Sequence, residues 1–135
     1  MGVFKDGVEA TKYIAGIFEE AVDDESIADQ LAASGVVRQL NCSDPDIQVT
    51  VDMPNKKVFT GNCDIKPTVA MFMTSDMANR FWQGNLNLAV ALAKGQVRAK
   101  GPVPKILKLI PVAKKLFPRY EELLRAEGRT DLLVV

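Results

Sequence analysis

The sequence predicts an α+β domain in one piece, with helices at both ends of the chain and most of its strands between them. Three observations carry this. Apolar residues recur at helical spacing up to Ala32, the period shortens to two between Val36 and Thr74, and helical spacing returns from Ser75, interrupted by one glycine-bounded strand. A chain of 135 residues, 47% of them apolar, is long enough for a single domain with its own core.

Ile14, Ile17, Phe18 and Ala21 share one face of a helix predicted over about 6–23, with acidic residues on the other faces. Ser26 followed by Asp29 resembles a capping pair, and Ile27, Ala28, Leu31 and Ala32 form the apolar stripe of a second, short helix before Gly35. From Val36 a β-rich run reaches Cys42. The turn Asp44-Pro45-Asp46 follows, and then Ile47, Val49, Val51 and Met53 alternate with Gln48, Thr50 and Asp52. Pro54 to Lys57 supplies the next turn, ahead of a strand at 58–60. The run 68–74 is apolar almost throughout and predicts a more buried strand, with either Val69, Met71 and Met73 or Ala70, Phe72 and Thr74 on the covered face.

Ser75 is placed to cap a helix through Met77, Ala78, Phe81 and Trp82 to Gly84, and a further short helix spans 88–93. Gly95 and Gly101 bound a fifth strand. Pro102 or Pro104 opens a helix with Ile106, Leu109, Ile110, Ala113 and Phe117 on one face, which Pro111 is placed to kink. Pro118 opens a last helix ending near Gly128, and the apolar tail 130–135 is either frayed or docked. No repeat, low-complexity tract or linker divides the chain.

The composition excludes several chemistries. With His 0, the commonest general base, zinc ligand and partner of a Ser or Cys nucleophile is missing. No glycine-rich phosphate loop occurs, because Gly95 and Gly101 flank a basic strand pattern. Asp23, Asp24 and Glu25 point in different directions at a helix end and read as solvated, with no metal site. Cys42 and Cys63 lack redox or zinc spacing and read as packed, reduced thiols. We therefore expect no catalytic residues, no enzyme activity of its own and no cofactor. The apolar runs at 86–93 and 106–110 are too short to span a bilayer, the acidic start is unlike a secretory signal, and the expected location is cytoplasmic.

The charge is balanced overall but unevenly placed. Residues 1–46 hold ten Asp/Glu against three Lys/Arg, and residues 94–129 hold ten Lys/Arg against three Glu. The basic third is suited to anionic lipid, to nucleic acid or to the chain's own acidic helices. The segment 105–117 is a basic amphipathic helix of a kind that rests transiently on anionic membranes, although core packing with solvated lysines explains the same spacing. Nucleic acid is not expected as a partner, because aromatic residues are not interleaved with the basic ones on a strand face.

The stretch 64–109 resembles the sterol carrier protein-2 domain family. Asp64-Ile65-Lys66-Pro67 and the strand to Thr74, the helix Ser75 to Gly84, the helix from Asn85 to Lys94, and Gly95-Gln96-Val97-Arg98-Ala99-Lys100-Gly101 leading into Ile106 follow that family's order and spacing. By architecture the likeness extends over 8–112. The chain departs from it in Pro102-Val103-Pro104 and in the helical extension 118–135. Its end also lacks the peroxisomal address some members carry.

The resemblance implies a single five-stranded sheet covered on one face by helices, with an internal apolar cavity. It implies a function of binding and transferring, without catalysis, a fatty acid, acyl-CoA, phospholipid or sterol-like ligand. Apolar residues on inward faces give the expected lining: Ile14, Phe18, Phe72, Phe81, Trp82, Leu88, Leu92, Ile106, Leu109 and Ile110. Arg80, Arg98, Lys100 and Lys105 are candidates to meet an anionic head at the cavity mouth. The alternative is an interaction or regulatory protein with a filled pocket, docking a partner through the basic C-terminal helices, and a homodimer is left open.

Overall fold

The computed structural model describes residues 4–133. Residues 1–3, and the last two residues of the apolar tail, lie outside the described part. Two helices lead, α1 (Gly7–Asp23) and α2 (Glu25–Ala33), followed by β1 (Val37–Ser43), β2 (Ile47–Asp52), β3 (Lys57–Thr60) and β4 (Val69–Thr74). Then come α3 (Ser75–Trp82), α4 (Leu88–Ala93), β5 (Arg98–Lys100), α5 (Val103–Leu107), α6 (Ile110–Lys114), α7 (Phe117–Ala126) and a 3-10 turn at Thr130–Leu132.

The strands form one five-stranded sheet in the order β3-β2-β1-β4-β5. β1 and β4 run parallel and the other neighbours antiparallel. The β1–β4 register aligns Arg38 with Val69, Leu40 with Met71 and Cys42 with Met73. All six are buried. The alternate residues Gln39, Asn41, Ala70 and Phe72 are only half-buried on the opposite face. One face of the sheet thus lies against helices: α1 packs on β2 and β3, α3 packs on β1 and β4, and α7 packs on α1 and α3.

Several expected boundaries shift for local reasons. Asp24, not Ser26, caps α2, since its carboxylate accepts from the N–H groups of Ser26 and Ile27 and from Ser26 Oγ. Thr74 takes the capping role expected of Ser75, accepting from Met77 N at 3.2 Å. Ser75 instead donates to the carbonyl of Pro45 at 2.8 Å, in the hairpin turn. The helix expected from Pro102 or Pro104 breaks into α5 and α6 around Pro111, which has no N–H to continue the ladder.

The extension after Pro118 is part of the core. Tyr120, Leu124 and Leu132 are buried, and Asn79 Nδ2 and Gln83 Nε2 both donate to the Leu132 carbonyl, at 3.1 and 3.0 Å. The uneven charge is partly consumed inside the molecule. Arg119 pairs with Asp24, Arg129 with Glu9, and Lys12 with Glu127 at 2.8 Å. Asp24 is therefore not the simply solvated helix end expected from sequence.

Candidate functional site

The helix layer meets the sheet around an aromatic cluster. Trp82 lies 5.2 Å from Phe18 and 5.2 Å from Phe81, both edge-on, and 6.2 Å from Phe117. Such edge-to-face pairs stabilise by about 0.5–1.5 kcal/mol each beyond their burial. They also hold α1, α3 and α7 at fixed spacing above β1.

Beside this cluster two apolar cavities open between sheet and helices, each of about 20 Å³. The first is walled by Phe18 and Ala21 of α1, Leu31 of α2, Trp82 of α3, and Leu116. The second is walled by Phe81, Leu88, Ile106 and Ile110. Arg38, Leu109 and Ala113 line both. A larger pocket of about 280 Å³ lies outside them, between the α3–α4 connection and α6–α7, and shares Phe81, Leu88 and Ile110 with the second cavity. Lys114 and Phe117 stand at this outer pocket. The outer pocket, whose lining also includes Asn87 and Lys114, is thus separated from the interior only by these shared apolar walls, and Arg38 stands in the wall common to the two inner cavities.

Arg38 is an unusual occupant of that interior. It is 8% exposed, and its guanidinium carbon lies 5.4 Å from the centroid of the Phe18 ring. Its Nε is buried without a hydrogen-bond partner, and no carboxylate among the described residues lies within ion-pair distance of it. Burial pulls its pKa down to about 10, which leaves it a cation at neutral pH. Cys42, four residues along on the same face of β1, is pushed up to about 12 by burial and stays a protonated, packed thiol. Chemically, this arrangement offers apolar walls and one buried positive charge.

Most of the expected lining residues converge here. Phe18, Trp82 and Leu109 wall the first cavity, and Phe81, Leu88, Ile106, Leu109 and Ile110 the second. Ile14 is fully buried in α1 and Leu92 is half-buried in α4, but neither lines a cavity. Phe72 is not brought to the site. The pleat turns it to the uncovered face, where it aligns with Asn41 and Arg98 and lies under Lys100 Nζ at 5.8 Å. Arg80, Arg98, Lys100 and Lys105 are exposed and line none of these three cavities. Arg38 was not singled out from sequence, and Ala113 was placed on the apolar face of its helix but not in the expected lining. The signal for Arg38 was present, since it is in step with Leu40 and Cys42 on β1.

No family model matches the chain, and no curated protein matches it in sequence. Its fold is found among solved structures. The apo form of sterol carrier protein 2 from Yarrowia lipolytica superposes with a TM-score of 0.66 at 19% identity, over 84% of this chain and 96% of that one. The sterol carrier protein domain 2 of Helicoverpa armigera gives 0.67 at 15% identity, over 87% and 95%. Sterol carrier protein-2 of Aedes aegypti in complex with palmitate gives 0.61 at 18% identity, over 78% and 94%. The chain therefore has the sterol carrier protein-2 fold.

Proposed function

We propose that this chain binds an apolar or amphipathic lipid between its sheet and its helical layer, and carries it without transforming it. The observation that carries the reading is the set of apolar walls, Phe81, Leu88 and Ile110, that the outer pocket shares with the interior cavity at Leu109 and Ala113. Each methylene moved there from water contributes about 0.8 kcal/mol, so an alkyl chain gains affinity from length alone. The palmitate complex of the Aedes aegypti protein, which shares the fold, supports the ligand class.

The interior cavities are too small for a chain in the present packing, so uptake requires helices to part. α5 and α6 are the elements suited to this, being five residues each and too short to be stable as isolated helices. Lys105, Lys108, Lys114 and Lys115 are exposed in or at the ends of this helical segment. They give it a cationic surface for brief contact with an anionic membrane during transfer.

A second reading, an interaction protein with a filled pocket, is favoured by the small volume of the two inner cavities. One experiment separates the two. The protein is purified natively and its organic extract analysed by mass spectrometry, and hexadecanoate is titrated while Trp82 emission is followed. A stoichiometric lipid or a saturable change at one ligand per chain supports the carrier. Neither lipid nor change transfers the weight to the filled-core protein.

A further inference from the structure

We infer that Arg38 is the anchor for the ligand's head, so that the molecule this chain takes up is a long-chain carboxylate inserted head first, its chain trailing towards the outer pocket. The inference rests on the lipid-binding reading and adds to it a ligand chemistry and an orientation.

A cation buried between two apolar cavities is costly unless something answers its charge, and no carboxylate among the described residues does. Its contact with the Phe18 ring covers one face of the guanidinium, and on the edge that carries Nε that N–H is buried without an acceptor. A carboxylate matches that edge as a planar, bidentate acceptor of a single charge. The other basic residues considered for this role, Arg80, Arg98, Lys100 and Lys105, are exposed and away from the cavities. Lys114 stands at the outer pocket, but it is exposed and its charge is met by water, so the unanswered charge is the inner one, on Arg38. The outer pocket, walled by Phe81, Leu86, Ile110 and Phe117, is left for the chain. Neutral lipids of the same length gain the chain contacts but leave Arg38 unanswered.

The test compares hexadecanoate with hexadecanol by Trp82 fluorescence, on the unaltered protein and on Arg38→Met. The expected result is a preference of roughly tenfold to a hundredfold for hexadecanoate. In Arg38→Met this preference disappears, whatever change the altered wall makes to hexadecanol affinity. A second measurement needs no variant. The carboxyl carbon of bound 13C-labelled hexadecanoate keeps the chemical shift of the ionised form under acid conditions that protonate the free ligand.

Equal affinity for the two ligands, with a carboxyl that titrates like the free acid, overturns the anchor and leaves the lipid site standing. A preference that survives in Arg38→Met overturns it too, by assigning the charge to another cation. Failure of both ligands to bind overturns the anchor and the carrier reading together.

Discussion

Tyr120 donates its phenolic hydrogen to Asn79 Oδ1 at 2.7 Å, and both residues are buried. Asn79 passes the link on, donating through Nδ2 to the Leu132 carbonyl. The C-terminal extension is thereby tied to α3, the helix that carries Phe81 and Trp82. Tyr120→Phe leaves Asn79 Oδ1 buried without its donor, and the expected cost is about 1–3 kcal/mol in urea unfolding. Asn79→Ala should cost more, because it also strands the tyrosine hydroxyl. In a double-mutant cycle the two losses should fall short of additive.

The Asp24–Arg119 pair makes the attachment of α7 sensitive to acid. Arg119, with Ser26 and the Ile27 N–H, holds the Asp24 carboxyl at about 2 instead of the ordinary 3.8. The folded value is depressed, so the stabilisation is complete above pH 3.8 and is lost as pH falls through about 2. Asp24→Asn should melt below the unaltered protein at neutral pH. That gap should narrow below pH 3.8 and close near 2, as followed by circular dichroism.

Gly101 sits at φ +114, where a Cβ would lie 2.4 Å from the Thr68 carbonyl oxygen. Gly101→Ala combines backbone strain with a backbone clash beside β4, and should cost roughly 3 kcal/mol. Gly95→Ala is the control, with φ +74 and nothing within 4 Å of its Cβ, and should cost roughly 1 kcal/mol. Equal losses in thermal unfolding would show that the close approach to Thr68 contributes nothing.

Ala113 lines both inner cavities. Ala113→Leu fills them, and should weaken hexadecanoate binding by about tenfold, or ~1.4 kcal/mol. Overpacking should keep the change in folding stability within about 1–3 kcal/mol. Fluorescence titration and urea unfolding on the same sample separate the two effects. Unchanged affinity would mean that the ligand does not reach this layer.

Much of this arrangement was legible in the chain, because amphipathic helices and alternating strands leave strong periodic marks. Phe18, Phe81, Trp82 and Leu109 were identified as inward-facing from spacing alone, and they meet. Phe72 was not assignable in the same way. Val69, Ala70, Met71, Phe72 and Met73 are all apolar, so no alternation reveals which set is covered, and the register with β1 decides it. Arg38 escaped notice for the opposite reason. A basic residue in a strand is expected to face water, and only its phase with Leu40 and Cys42 indicates otherwise. The caps at Asp24 and Thr74 missed the expected residues by one or two positions because several side chains there are suited to the same hydrogen bonds.

The most direct test of a lipid held between sheet and helices is an NMR measurement of nuclear Overhauser contacts from 13C-labelled hexadecanoate to the protein. The expected result is contacts from its methylenes to Trp82, Leu109 and Ile110. Contacts confined to the uncovered sheet face around Phe72, or to the open groove of about 810 Å³ beside Val8 and Ile47, would contradict it.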